Sequence, residues 1–157
     1  MDTNVKLQQL GEFLQSQHAD YDILIDESNL AQASTGAARY GISLSQAAPT
    51  LILKLRDQYI AAIIRGDTRI SFKKLKQVLQ TKEASMADPQ TVAQITGSQI
   101  GHVSLVNFGL MTIIDIHLLE NTYCYGGCGV ANATLKINTH DLARITNAQV
   151  LDFAEPR

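Results

Sequence analysis

Residues 50–79 read TLILKLRDQYIAAIIRGDTRISFKKLKQVL, and this stretch decides the fold class. Thr50 to Lys54 and Tyr59 to Ile64 are two β-prone runs on either side of the polar pair Asp57-Gln58, which is the signature of a hairpin. Ser71 then offers an N-cap, and Phe72, Leu75, Val78 and Leu79 recur at helical spacing. A strand pair running directly into an amphipathic helix predicts mixed α/β architecture, and the flanking sequence continues it. Upstream, Leu7, Leu10 and Leu14 share one helical stripe over residues 4–17, with Phe13 beside it. Tyr21 to Ile25 reads as a strand, and Asp26 or Ser28 caps a second helix that runs to about Tyr40 and ends at Gly41.

Downstream, Ala84 to Met86 is a short strand. Asp88-Pro89 is a cap followed by proline in the first helical turn, and Gly97 ends that helix. Met111 to Ile116, Tyr123 to Tyr125, Thr134 to Ile137 and Gln149 to Phe153 read as strands, with a helix capped by Asn138 or Thr139 reaching about Thr146. About seven strands interleaved with four or five helices make one layered domain over residues 1–157, with no repeat and no linker.

Composition sets the outer bounds. A chain of 157 residues, 45% apolar and 18% charged, is large enough to bury a core without disulfides or a structural metal. The longest clean apolar run, Tyr59 to Ile64, falls far short of the roughly 18 residues a membrane helix needs. The N-terminus has an early acid and no apolar centre, so it does not read as a secretory signal; a cytoplasmic protein with no membrane partner is expected. Cys124 and Cys128, in Cys-Tyr-Gly-Gly-Cys, miss the two-residue gap of redox pairs and zinc knuckles and read as reduced thiols.

The net charge of −2 is unevenly distributed. Residues 51–82 hold eight bases and two acids, residues 1–50 six acids and two bases, and residues 83–157 seven acids and three bases. Within the basic third, Arg65, Arg69, Lys73, Lys74 and Lys76 cluster in RGDTRISFKKLK. Lysines in the first turn of a helix oppose its dipole unless an anion visits, so this segment is either a phosphate-facing surface or a solvated face balanced by nearby acids.

The four histidines show no metal-ligand spacing; Asp115 and His117 share a strand face but lack a third ligand. Two glycine-rich segments remain. Gly101-His102-Val103-Ser104 and Tyr125-Gly126-Gly127-Cys128-Gly129 each allow close main-chain approach, so their N–H groups could line a pocket for a carbonyl or carboxylate.

Taken in order, APTLILK (48–54), YIAAIIRGDTRISFKKLKQVL (59–79), ASMADPQTVAQITGSQIGHVSLVNFG (84–109), TIIDIHLL (112–119), NATLKI (132–137) and DLARITNAQVLDF (141–153) resemble the YbaK / prolyl-tRNA editing family over about residues 30–154. The resemblance implies an α/β fold with a curved mixed sheet, and hydrolysis of the ester joining a wrong amino acid to tRNA, for example tRNA(Pro). It implies no metal or other cofactor. The partners it implies are the aminoacylated 3′ end of tRNA and, as a second candidate, an aminoacyl-tRNA synthetase. The family's donor loop corresponds here to Gly101 to Leu105, so Gly101, His102 and Ser104 are the candidate catalytic positions. Pro49, Thr50, Leu51, Tyr125, Gly126, Gly127 and Thr134 are the candidate substrate-binding positions, and Arg65, Arg69, Lys73, Lys74 and Lys76 the candidate tRNA contacts.

Three departures accompany the resemblance. Pro49 stands where the family has lysine, Leu105 where the loop has proline, and Tyr125 where a short Ser-Gly-Gly stretch begins. Either another cation, with Arg39, Lys54, Arg65 and Arg69 as candidates, serves an editing enzyme of altered specificity, or the chain is an inactive relative that binds the tRNA acceptor or another small ligand.

Overall fold

The computed structural model describes residues 3–25 and 41–157. The second helix expected from Asp26 or Ser28 to Tyr40, and the candidate cation Arg39, lie outside the described residues. Gly41 lies inside them, with φ +67°.

Helix α1 (Thr3–Ser16) buries Leu10 and Leu14 and is followed by β1 (Tyr21–Ile25). The expected hairpin is present as β2 (Thr50–Leu55) and β3 (Tyr59–Ile63), antiparallel with Lys54 opposite Tyr59. Strand β3 carries Ile60, Ala61, Ala62 and Ile63, all fully buried. Such an unbroken apolar run suits a strand covered on both faces, and β3 is the middle strand of the largest sheet, ordered β5-β2-β3-β6-β9. Its other members are β5 (Ala84–Met86), β6 (Met111–Asp115) and β9 (Gln149–Leu151). Pairs β3–β6 and β6–β9 are parallel, and β2 pairs antiparallel with β3 and β5, so the sheet is mixed.

A second, antiparallel sheet joins β1, β8 (Ala133–Asn138) and β7 (Tyr123–Gly127), with β8 in the middle. Strands β4 (Thr68–Ile70) and β10 (Ala154–Pro156) form a two-stranded antiparallel ribbon that the sequence pattern did not reveal. The run expected to extend from Gln149 to Phe153 stops at Leu151, because Phe153 turns its ring into the core and its N–H toward Asp115.

Helix α2 (Phe72–Leu79) is capped by the Ser71 hydroxyl, which accepts from the Lys74 N–H at 3.3 Å. Leu75 is fully buried with Phe153 beneath one face of the large sheet. Val78, expected on the buried side, is 38% exposed, because the buried arc of this two-turn helix is centred on Leu75. Helix α3 (Pro89–Thr96) begins at the Asp88 cap and closes at Gly97 in the left-handed region. Helix α4 (Thr139–Ile145) is capped by Asn138. Ile116 lies outside β6, half exposed at the start of the 3₁₀ turn Ile116–Glu120. Among the described residues no helix is long and apolar enough to cross a membrane.

Candidate functional site

Among the described residues, one face of the large sheet is left uncovered near the start of β2. There Ile52, Ala87, Val92 and Val103 form a small apolar cluster with Ala61, and its upper surface is the base of a hollow of about 450 Å³. A volume in this range suits a metabolite-sized ligand. One side is Pro49 and β2 from Thr50 to Ile52; the other is the loop Ile100 to Val103, with Met86 and Ile100 exposed at the rim. The far wall is β7 from Tyr125 to Gly127, with Thr134 of β8 beside it.

Two isolated bridges hold these walls together. Ala47 pairs with Tyr125 and Ser104 with Gly127. The Ala48 N–H donates to the Tyr125 carbonyl at 2.8 Å, and the Leu105 N–H donates to the Gly127 carbonyl at 3.0 Å. The two glycines make this contact sterically feasible. A Cβ at Gly126 would stand 2.6 Å from Leu105 Cγ and 2.7 Å from the Ala48 carbonyl oxygen; one at Gly127 would stand 2.2 Å from the Val103 carbonyl oxygen. Both residues belong to β7, so they act by close packing of extended main chain, whereas the sequence suggested a loop. Positive φ is found instead at Gly101 (+92°) and Gly129 (+86°).

The structure gathers Pro49, Thr50, Leu51, Gly101, His102, Tyr125, Gly126, Gly127 and Thr134 around this one hollow. Ser104 is placed elsewhere. Its hydroxyl accepts from the Val106 N–H at 3.1 Å, and the residue lines a second, shallower hollow beside Lys6 and Phe108. In the donor loop the His102 N–H closes a turn onto the Gln99 carbonyl at 2.9 Å. The amides of Ile100, Gly101 and Val103, also in the pocket-lining part of this loop, have no hydrogen-bond partner among the described residues. The Thr50 hydroxyl oxygen is buried without a hydrogen-bond partner among the described residues. A buried hydroxyl left unpaired costs stability, so this position calls for an explanation.

Of the cations expected to replace the missing lysine, Lys54, Arg65 and Arg69 do not reach the hollow. Lys54 is exposed on β2, and Arg65 pairs with Asp67 (2.6 Å) and Glu120 (3.2 Å). Arg69 pairs with Glu155 at 3.0 Å. The charged side chain that does line the hollow is Arg157, which sequence reading missed because 91 residues separate it in the chain from Gly66 on the same wall. Within the basic segment Lys74 is also paired, with Asp152 at 2.7 Å, whereas Lys73 is exposed and neither it nor Lys76 has an acidic partner among the described residues.

The third group near Asp115 and His117 is Asp152, with ligand-capable atoms of all three within 4.8 Å of one another. Asp115 is already fully used by the protein. Its Oδ1 accepts from the Phe153 and Ala154 N–H groups, each at 2.8 Å, and its Oδ2 faces the His117 N–H (3.1 Å) and Nδ1 (2.7 Å). Burial alone would raise the Asp115 pKa, but these hydrogen bonds outweigh it and hold the carboxyl below its ordinary value. The carboxylate is a clasp that fixes β10 to the end of β6. Cys124 and Cys128 are free thiols in the core, and burial pushes both pKa values up to about 12, which leaves them without thiolate character.

The mixed sheet and its glycine-walled hollow can be compared with known proteins. The aminoacyl-tRNA editing domain family matches residues 27–145, and the chain belongs to that family. It is 29% identical to the uncharacterized protein YwhH of Bacillus subtilis over 134 residues, covering 82% of this chain and 83% of YwhH. It is 31% identical over 121 residues to the proline–tRNA ligase of Desulfovibrio desulfuricans, 76% of this chain but only 20% of the ligase's length. Among solved structures, hypothetical protein APE2540 superposes with a TM-score of 0.88 at 27% identity, covering 94% of this chain and 99% of that one. A proposed trans-editing enzyme for prolyl tRNA synthetase superposes at 0.84 with 20% identity and 99% coverage of both chains, a likeness of fold.

Proposed function

We propose that the chain is a free-standing aminoacyl-tRNA deacylase that hydrolyses the ester of a mischarged tRNA, with tRNA(Pro) as the first candidate. The observation that carries this reading is the hollow itself: one wall is glycine-rich main chain, the other apolar side chains, and the buried Thr50 hydroxyl has no partner among the described residues. An aminoacyl ester is already reactive, so positioning and oxyanion stabilisation suffice without a protein nucleophile. In this reading the Gly101 and Val103 amides face the developing oxyanion, and His102 orients the attacking water. Thr50 holds the aminoacyl group, while Leu51, Met86, Val92 and Ile100 select its side chain. Gly126, Gly127 and Thr134 shape the far wall. Lys73 and Lys76 meet the acceptor stem, with Arg65, Arg69 and Lys74 contributing to the field from within their ion pairs.

The test is a panel of Ala-, Cys-, Ser- and Pro-tRNA(Pro) incubated with protein or buffer. One member should lose its amino acid faster with protein; equal rates across the panel overturn the reading.

A further inference from the structure

Arg157 is the one permanently charged side chain among the described residues lining the hollow, and no aspartate or glutamate is among them. It arrives there by a defined route. Asp115 clamps the Phe153 and Ala154 amides, β10 then pairs with β4 in the register Ala154–Ile70, Glu155–Arg69 and Pro156–Thr68, and the next residue is delivered to the pocket wall near Gly66. The guanidinium is anchored at one point, where Nε donates to the Thr68 carbonyl at 3.1 Å. Its two terminal nitrogens have no protein partner among the described residues. An arginine tied through Nε presents those nitrogens as a preoriented fork, the geometry that matches two oxygens of a phosphate.

An aminoacyl group brings an α-ammonium or neutral amine, which a guanidinium does not attract. The anionic part of an esterified tRNA end is its phosphodiester. From this juxtaposition, and resting on the deacylase reading of the hollow, we infer that Arg157 binds the phosphate 5′ to the terminal ribose and so sets the depth to which the acylated ribose enters. The cation absent at Pro49 is thereby supplied from the far end of the sequence, through a ribbon rather than from β2.

The probe pair adenosine 5′-monophosphate and adenosine tests this without needing turnover, because the two differ by the phosphate alone. Titration of the intact chain, followed by NMR shifts of the Gly101, Gly126 and Gly127 amides, should show the monophosphate binding about tenfold tighter. Arg157→Gln should remove that preference, and Arg157→Lys should keep only part of it because the fork is lost. A preference near one in the unsubstituted protein, or one unchanged by Arg157→Gln, overturns the assignment. With mischarged tRNA, Arg157→Gln should raise KM about tenfold with kcat little changed, whereas hydrolysis of 3′-aminoacyl-adenosine lacking the phosphate should stay within about twofold. If no mischarged tRNA is hydrolysed but the monophosphate preference exists and vanishes in Arg157→Gln, the deacylase reading fails and the phosphate site stands.

Discussion

The carbonyl oxygen of Val103 occupies the space that a Cβ at Gly127 would need, 2.2 Å from its ideal position. The loop carrying His102 and the strand carrying Gly127 are thus in direct main-chain contact, and this contact forms one corner of the hollow.

Gly127→Ala must push the two segments apart. The expected cost is about 2–4 kcal/mol, in the range of an overpacked core, together with loss of deacylation. Urea unfolding and a deacylation assay measure the two effects, and a variant as stable as the parent would contradict the contact.

Thr50→Val separates stability from function. Removing a buried, unpartnered hydroxyl while keeping the shape should leave stability unchanged or raise it by about 1 kcal/mol. Deacylation should fall about tenfold or more, as a ligand hydrogen bond is lost. Thermal unfolding should therefore show no loss of stability while single-turnover kinetics slow.

Asp115 predicts acid sensitivity with a definite sign. Its carboxyl is held below the ordinary value in the folded chain, so the stability it contributes is present above the unfolded carboxylate pKa of about 4 and is lost as pH falls through the lower folded value. Asp115→Asn places an amide donor against N–H groups and should cost about 2–3 kcal/mol at neutral pH. Urea midpoints of parent and variant should converge toward pH 2.

Lys73 and Lys76 are the unpaired cations of the basic segment among the described residues. Reversing both to glutamate should weaken tRNA binding and reduce the salt dependence by about one phosphate contact per lysine. Arg69→Ala, which removes a cation already paired with Glu155, should change affinity by no more than about twofold. Filter binding over a salt series distinguishes the two variants.

Cys124 and Cys128, with thiols pushed up to about 12, should stay unreactive to a thiol reagent at pH 8 while the chain is folded and react promptly in denaturant.

Local patterns made most of the secondary structure legible. The hairpin at Asp57-Gln58, the Ser71, Asp88 and Asn138 caps and the glycine closing α3 are short-range signals, and the structure realises each of them. What escaped depends on partners distant in sequence. Strands β4 and β10 are three residues each and exist because they pair with each other and because Asp115 holds the turn before β10. Residues 126–127 suggested a loop because glycine is a turn signal; only the approach of Leu105, Ala48 and Val103 shows why a strand needs it there. The candidate pocket positions followed family order and fell around one hollow. Ser104 lines the second hollow instead, its hydroxyl held by the Val106 N–H two residues on. Arg157 carried no signal at all, since a lone arginine has no periodicity.

The clasp at Asp115 ties the arm that carries Arg157 to the stability of the fold, while the far wall is backbone that side-chain drift leaves in place. Met86, Val92 and Ile100, by contrast, come from three separate elements on the other side and are bound into neither. Exchange among those three can therefore reshape the apolar side of the hollow without disturbing the main-chain wall, so under the proposed function the set of amino acids admitted could change separately from the donor loop.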